Sequence, residues 1–376
     1  MKNARIFQVH RSAHTPLLFL LICLMAGCTK TETKPGDPDK YWQKAALPNT
    51  PRKLGAAGLL ADGRVLLTGG NVIGTPPGTF INAPTEIYDP ATDKWTTVSQ
   101  STIDGEELIR LKSGKMVLLD RSSSIIKVFD PSTKKWISPG TIVGQQGDYN
   151  TMSGACELEN GNVVFVGSSS IAVWDQKNSL VSHSLNSGSE SARFATVHQL
   201  PGTDRFIIFG NSYYQGAGII YELDAKAGNA PRQVGAPVGG LSGIMMRSEL
   251  AGGGKLLFVG GYSGAMVGNN PVPPMIFNPT AGTFIQAEPL VGNTISKKIV
   301  TGTDQAGNVW FNNNYVERYK FDLATQKVVS GNPSIPRVPS PFPEDDGFVE
   351  PLVRSYVFLS DGRLMVIGGD QSWISK

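Results

Sequence analysis

The stretch Ala61-Asp62-Gly63-Arg64-Val65-Leu66-Leu67-Thr68-Gly69-Gly70 decides the fold, because it recurs almost intact near the other end of the chain. The second copy reads Ser360-Asp361-Gly362-Arg363-Leu364-Met365-Val366-Ile367-Gly368-Gly369. Weaker copies, each a tight turn followed by an apolar run, lie between them at 115–119, 163–167, 205–210, 255–261 and 308–312. One such unit cannot bury its own apolar face, so the pattern predicts units stacked on their neighbours.

The spacing of the turn glycines gives the size of the unit. These glycines are Gly63, Gly114, Gly161, Gly202, Gly254, Gly307 and Gly362, and the gaps between them are 51, 47, 41, 52, 53 and 55 residues. A four-stranded propeller blade takes roughly 50 residues. The spacing therefore predicts seven blades.

A second marker follows each apolar run. An Asp or Asn ends one strand, and six positions later an aromatic or aliphatic residue opens the next. The pairs are Asp89/Trp95, Asp130/Trp136, Asp175/Val181, Asn278/Phe284 and Asp322/Val328. An Asp at this position starts a turn, since its carboxylate accepts nearby backbone N–H groups. The Trp is then expected to open an outer strand and to pack its large ring between sheets.

Together these repeats resemble the kelch-repeat family, from about residue 41 to the end, with a distant resemblance to the propeller domain of galactose oxidase. The resemblance implies an all-β, seven-bladed kelch-like β-propeller whose first strands line a central channel. We interpret blade 1 as 54–60, 64–69, 85–89 and 95–98, since these runs are aliphatic and end at Gly, Asp or Pro. No stretch shows a sustained helical period.

The two ends of the propeller are predicted to meet in one blade. The last repeat, 349–376, has room for three strands, and 41–47 resembles a detached outer strand. If that N-terminal strand pairs with the last blade, the ring closes and no sheet edge is left open. The alternative is an imperfect ring.

The first 28 residues resemble a bacterial lipoprotein signal. Lys2, Arg5 and Arg11 precede an apolar run at 17–25, which is too short to span a bilayer, and small residues precede Cys28. The resemblance implies a signal peptide at 1–27, a lipid on Cys28, a flexible tether at 28–40 and the propeller at 41–376. The residue after Cys28 is Thr29 and not the Asp that would suggest retention in the inner membrane, so the outer membrane is favoured. The sequence assigns the protein to neither the periplasmic nor the surface side of that membrane. The alternative is an ordinary signal peptide with a chance cysteine.

Charge and cysteine content narrow the class of partner. The net charge of +3 falls to 0 once residues 1–27, which hold three bases and no acid, are removed. A neutral domain offers no electrostatic case for nucleic acid, and the membrane is expected to be reached through the lipid alone. Cys156 is then left without a cysteine partner in the propeller, and we expect it to be a small buried side chain.

Function is expected where long loops meet the channel, because rigid scaffolds carry their sites on loops. Insertions at 71–84, 262–274 and 331–347 belong to the same face, next to the starts of the inner strands. Polar residues at those starts are the candidate ligand-binding residues: Arg52, Glu106, Asp148, Tyr149, Arg193, Arg247, Lys297 and Arg354. The competing interpretation is that these side chains are solvated or pair across blades, for about 0–1 kcal/mol each.

The kelch resemblance implies two enzyme types. A galactose oxidase-like copper site takes two His and two Tyr, but the predicted propeller contains only His183 and His198, which lie on different strands; we therefore predict no metal and no cofactor. A sialic acid epimerase (mutarotase) would need an acid/base residue, such as Glu106 or Glu107, and a carboxylate-binding Arg193 or Arg247.

The sequence favours a non-catalytic, lipid-anchored envelope module that binds a protein or a glycan. The alternative is a carbohydrate-active enzyme of the epimerase type with its site at the channel mouth.

Overall fold

The computed structural model describes the chain from residue 40 to 376 with gaps, all of it within one compact unit, Asp37–Lys376. Residues outside the description are 1–39, 54, 77–78, 80, 101–104, 106, 121–123, 143–151, 168, 185–195, 212–215, 224–228, 235–237, 240–246, 252–253, 260–261, 264–269, 272–273, 287–300, 314–316, 323–324, 326, 331–354 and 370. Where the chain is described, no helix is long and apolar enough to cross a membrane.

Among the residues that the structure describes, the regular elements are β-strands, and the first two are short strands that precede blade 1. They are β1 (Trp42–Ala45) and β2 (Arg52–Lys53). Blade 1 comprises β3 (Ala56–Leu59), β4 (Val65–Thr68), β6 (Thr85–Asp89) and β7 (Lys94–Ser99), in that order across the sheet. The strand β5 (Asn71–Val72) leaves this sheet and pairs with β2.

Blades 2 to 4 repeat the same antiparallel order. Blade 2 comprises β8 (Glu107–Arg110), β9 (Met116–Leu119), β10 (Ile125–Asp130) and β11 (Lys135–Thr141). Blade 3 comprises β12 (Met152–Glu157), β13 (Val163–Gly167), β14 (Ser170–Trp174) and β15 (Leu180–Ser184). Blade 4 comprises β16 (Thr196–Gln199), β17 (Arg205–Asn211), β18 (Gly216–Glu222), β19 (Arg232–Gln233) and β20 (Val238–Gly239), the last two both on β18.

Blades 5 to 7 complete the ring. Blade 5 comprises β21 (Arg247–Ala251), β22 (Lys255–Val259), β25 (Met275–Asn278) and β26 (Thr283–Gln286), with a separate ribbon of β23 (Tyr262–Ser263) and β24 (Asn270–Pro271). Blade 6 comprises β27 (Thr301–Thr303), β28 (Val309–Asn313), β29 (Glu317–Asp322) and β30 (Lys327–Ser330). Blade 7 comprises β31 (Ser355–Phe358), β32 (Leu364–Ile367), β33 (Ser372–Ser375) and β1.

The first strands of the seven sheets form a closed cycle. Each contacts the next in the order β3, β8, β12, β16, β21, β27, β31 and back to β3. The chain is therefore a seven-bladed β-propeller, as the repeats predict, and β1 closes it as expected. That closing strand runs antiparallel to β33, with Trp42 opposite Ser375 and Ala45 opposite Ser372.

The backbone conformation of the seven hairpin turns explains why each repeat has a glycine at this position. All seven have φ between 73° and 86°, in the left-handed region that a Cβ disfavours. In blade 1 the amide of Gly63 donates to the carbonyl of Leu60 at 3.1 Å. The amide of Leu60 donates to the carbonyl of Arg64 at 2.8 Å. The tight hairpin between first and second strands is thus built into each repeat.

The Asp-to-Trp marker behaves as predicted. Asp89 Oδ1 accepts the amide of Ala91 at 2.9 Å, and Asp130 Oδ1 accepts that of Ser132 at 2.9 Å. The Trp95 ring lies 5.1 Å from that of Tyr88, and its Nε1 donates to the carbonyl of Ala46 at 2.9 Å, beside the closing strand.

The core lies between blades. The second strands β4, β9, β13 and β32 are buried at every residue. In the described part of the chain, seven apolar clusters each join two neighbouring blades. In one of them Val65 and Leu67 of blade 1 pack on Met365 and Ile367 of blade 7. Burial between units is what holds a repeat architecture together.

Candidate functional site in the central channel

A cavity of about 350 Å³ occupies the middle of the ring. Most of its described lining comes from the first strands of blades 1, 2, 3, 4, 6 and 7, and Met116 and Leu119 of β9 add to it. Small-molecule sites range over about 300–1,000 Å³, so the channel has room for a small ligand.

The lining is small or polar at many positions. Gly55, Ala57, Gly58, Gly154, Ala155 and Gly302 leave space around the axis. Hydroxyl groups come from Ser153, Thr196, Thr301, Thr303 and Ser355. The charged or ionisable side chains of the described wall are Glu107, Arg110, Lys112, Cys156, Glu157, His198 and Tyr356. Such a wall can offer hydrogen bonds and a few charges to a polar ligand.

Glu107 opens β8 and lines the cavity on the side where the inner strands begin. It is half-buried, whereas its strand neighbour Leu108 packs into the core between blades 1 and 2. Glu107 is therefore one of two carboxylates of the described cavity wall, with Glu157, and Glu106 lies outside the described residues.

Glu157 is at the other end of the channel and its carboxylate is bound on both oxygens. It accepts the amide of Ser113 at 2.7 Å and the Nε2 of Gln176 at 2.7 Å. Gln176 also receives the ammonium of Lys115 at 2.8 Å. This acid ties blade 2 to blade 3, so its role is to join turns.

His198 and Cys156 both line the cavity, on β16 and β12. Burial lowers the pKa of His198 to about 4, so its imidazole is neutral at pH 7. Burial raises the pKa of the Cys156 thiol above its ordinary range, which disfavours the reactive thiolate. The expectation that Cys156 is a buried small side chain is confirmed, with 8% of it exposed.

His183 is in β15, the fourth strand of blade 3, as expected, far along the sheet from the first strand that carries the channel wall. His198 and His183 therefore belong to different blades and different radial positions. Within the described residues no group of three or more His, Cys, Asp or Glu is close enough to hold a metal ion.

Arg52 is placed differently from the expectation that it starts an inner strand. It lies in β2, which pairs with β5 of the blade 1 insertion, and only 3% of it is exposed. Its guanidinium forms an ion pair with Glu86, which is fully buried, and also donates to the carbonyls of Thr50, Gly69 and Pro84. Desolvation lowers the pKa of Arg52, opposed by the charge of Glu86. Through these contacts Arg52 joins the 71–84 insertion to the sheet of blade 1.

The remaining candidates are described only in part. Arg247 is the first residue of β21, the inner strand of blade 5, and pairs with Val259. The other six lie outside the described residues: Glu106, Asp148, Tyr149, Arg193, Lys297 and Arg354. Their ligand-binding roles stay predictions.

Comparison with known proteins supports the fold. No model of a known protein family matches the chain, and no curated protein matches it by sequence. Many solved structures are similar in shape. A streptogramin B lyase matches with a TM-score of 0.57 and 13% identity over 90% of this chain and 99% of that one. A virginiamycin B lyase from Staphylococcus aureus matches at 0.56 and 12% identity, over 89% and 98%.

A copper-bound fungal alcohol oxidase of the AA5 family matches with a TM-score of 0.50 and 19% identity. The match covers 69% of this chain and 58% of the oxidase chain. A hydrazine synthase from Kuenenia stuttgartiensis matches at 0.55 with 13% identity. These neighbours carry out unrelated chemistry on one scaffold, so they identify the chain as a seven-bladed β-propeller and leave its activity to its own residues.

Proposed function

We propose that this chain is a kelch-like, lipid-anchored binding module of a bacterial envelope, without catalytic activity, whose partner is an envelope protein or a glycan. The observation that carries the proposal is the channel cavity, with its small and hydroxylated lining and its charged group at Glu107. The partner is expected to approach from the face on which the inner strands begin.

The face that carries the hairpin turns between first and second strands supports this choice of side, because its polar groups form hydrogen bonds between neighbouring blades. Asn160 donates its amide to Asp204 at 3.0 Å, and Gln305 donates its amide to the carbonyl of Ser360 at 2.9 Å. Glu159 binds both Lys112 at 2.6 Å and the amide of Gly202 at 3.1 Å. A face whose donors already have partners offers fewer of them to a ligand.

The loop face carries additional structure. The ribbon of β23 and β24 lies outside the four-stranded sheet of blade 5 and belongs to the 262–274 insertion. The β2–β5 ribbon is the corresponding addition on blade 1. Loops on a rigid scaffold are the usual carriers of binding residues. The signal-like N-terminus, with Cys28 as the lipidated residue, is the support for the membrane anchor.

In-cell photo-crosslinking tests the proposal. A photoreactive residue in place of Asn270, in the β23–β24 ribbon, should yield one discrete adduct with an envelope protein or glycan. The same residue in place of Lys134, in the rim turn between β10 and β11, should yield none. Equal adducts at both positions, or none at either together with no binding on a glycan array, would contradict the proposal.

The competing candidate is a carbohydrate-active enzyme of the sialic acid epimerase type. Glu107 favours it, because an acid/base residue must line the cavity in which the sugar sits. If the purified protein turns over a sugar acid and the Glu107→Gln variant does not, the enzyme would replace the binding module as the proposed function.

A further inference from the structure

The last residue pair before the hairpin turn of each blade defines one layer of the channel wall. The pairs with described side chains are Leu59 with Val65, Arg110 with Met116, Glu157 with Val163, Gln199 with Phe206, Thr303 with Val309 and Phe358 with Leu364. The first residue of every pair belongs to an inner strand and lines the cavity. We call these six inner-strand residues the turn-side layer.

Several polar groups at this level are already bound between blades. Both oxygens of Glu157 accept hydrogen bonds from the turns of blades 2 and 3. Gln199 donates its Nε2 to Glu159 at 3.2 Å, and Lys112 forms an ion pair with the same carboxylate at 2.6 Å. These side chains therefore serve to join the blades.

Arg110 differs from these groups, because most of its N–H donors have no protein partner among the described residues. Its side chain is exposed, and its Nη1 lies 3.5 Å from the carbonyl of Leu60. That distance is longer than the usual N–H···O hydrogen bond of about 2.7–3.2 Å. Within the described part of the chain Arg110 forms no ion pair. The cavity wall thus holds a permanent positive charge whose donors are available to a ligand.

Other described arginines are bound within the protein. Four of them form ion pairs, namely Arg52 with Glu86, Arg64 with Asp62, Arg232 with Glu222 and Arg363 with Asp361. Arg318 donates to the hydroxyl of Ser375 at 2.9 Å and to the carbonyl of Lys376 at 2.7 Å. Arg110 is set apart from these five by lining the cavity without an acidic partner.

The charges along β8 give the channel a direction. Glu107 lies three residues before Arg110 on this strand, which corresponds to about 10 Å at about 3.3 Å per residue. Its negative charge disfavours an anion at the loop-side end of the cavity, so an anionic group is expected at the Arg110 end. Between the two levels the wall is short at Ala57, Ala155 and Gly302, which leaves room for the body of a ligand.

We propose that the turn-side layer binds a small carboxylic acid, with its carboxylate on the guanidinium of Arg110. This inference rests on the proposed function, which places the ligand in the channel, and it names a ligand class. A guanidinium offers a carboxylate two parallel N–H groups, and such charge-assisted hydrogen bonds are stronger than neutral ones. The rest of the ligand extends toward the hydroxyl groups of Ser153 and Thr196 in the same cavity, which favours a hydroxylated acid.

Calorimetric titration of the purified full chain in mild detergent tests this directly. The probes are lactate, gluconate and glucuronate, with lactamide and glucose as matched neutral compounds and inorganic phosphate as a different anion. At least one acid should bind, at least about tenfold more tightly than its neutral counterpart and than phosphate. No binding of any acid, equal binding of the neutral compound or equal binding of phosphate would overturn the inference.

Variants then locate the site. Arg110→Gln removes the charge and should weaken binding of the best acid at least about tenfold. The control Arg64→Gln removes an arginine from a hairpin turn on the same side of the ring, where it pairs with Asp62, and should leave the affinity unchanged. If Arg110→Gln does not fold, Arg110→Lys keeps the charge without the planar fork and should weaken binding several-fold. Unchanged affinity in the folded Arg110 variant, or an equal loss in the control, would reject the turn-side layer as the site.

The two proposals fail separately. If no acid binds but the Asn270 photo-crosslink forms, the carboxylate inference is wrong and the binding module stands. If an acid binds through Arg110 and no protein or glycan partner is captured, the module's partner is wrong while the turn-side layer stands.

Discussion

Arg52 was a candidate ligand-binding residue in the sequence, but in the structure it forms a buried ion pair with Glu86. Arg52 precedes the first inner strand and is a basic residue near a predicted channel mouth, which suggested a ligand contact. In the structure its guanidinium is enclosed by Glu86 and three backbone carbonyls. Thr97 Oγ1 donates to the other oxygen of Glu86 at 3.2 Å, so the buried acid is satisfied on both sides.

Breaking this pair from one side should be costly. Glu86→Gln leaves a guanidinium that is 3% exposed without its counter-charge, and we expect unfolding free energy to fall by about 3–5 kcal/mol. The double variant Arg52→Met/Glu86→Leu removes both charges and should lose much less. Urea denaturation monitored by tryptophan fluorescence measures both.

An exposed ion pair is the matched control for this prediction. Asp62 and Arg64 are 49% and 34% exposed, and Arg64→Met should change stability by only about 0–1 kcal/mol. A single variant at Glu86 that costs no more than this control would show that the buried pair is not needed for the fold.

At the scale of elements, hairpin turns are the best-specified part of the chain. Each repeat carries a glycine at the same position, and each of these glycines has the left-handed backbone that the turn needs. Strand bounds of blade 1 agree with the sequence interpretation to within two residues at either end. The ribbons β2–β5 and β23–β24 were not predicted, because two-residue strands produce no periodic signal.

Two equivalent turn glycines should differ in their sensitivity to a methyl group. At Gly63 an added Cβ meets nothing closer than Ser360 Oγ at 3.6 Å, so Gly63→Ala should cost about 1–2 kcal/mol from the backbone alone. At Gly362 the Cβ would lie 2.6 Å from the Trp310 ring of blade 6, so Gly362→Ala should cost more by about 1–3 kcal/mol. Urea midpoints of the two variants provide the comparison, and equal losses would contradict the inter-blade contact.

At the scale of the whole molecule, stability depends on closing the ring. The closing strand β1 pairs with β33 of blade 7, and the residue that follows it reaches blade 1. There the amide of Ala46 donates to Asp93 at 2.8 Å, and its carbonyl accepts the Trp95 Nε1. One short segment therefore joins the first and last blades of the ring.

Removing the anchor of that strand should open the ring. Trp42 is 1% exposed and packs with Tyr356, Phe358 and Trp373, so Trp42→Ala should lower the unfolding free energy by about 3–5 kcal/mol. Deletion of 41–47 should lower the melting temperature further, since it exposes the edge of β33. Gln43→Ala, on the exposed side of the same strand, is the control. An unchanged melting temperature after the deletion would refute closure by β1.

The channel site was only partly within reach of the sequence. The kelch resemblance implied which strands are innermost, and so which residues are near the channel. It did not distinguish a wall acid such as Glu107 from one used between blades such as Glu157, because that depends on which groups of the neighbouring blade come close. The sequence also did not indicate that Arg52 forms a buried ion pair with Glu86.

The sequence by itself determined the blade count, the turns and the closing strand, because these follow from local chemistry repeated at a regular interval: a left-handed glycine, an Asp-capped turn and an apolar run that needs a neighbour. The tertiary structure alone decided which polar residues share a cavity and which are used internally. Glu107 and Thr196 are separated by 89 positions, and only the strand register and ring closure bring them to one cavity. Such long-range geometry has no local sequence signature.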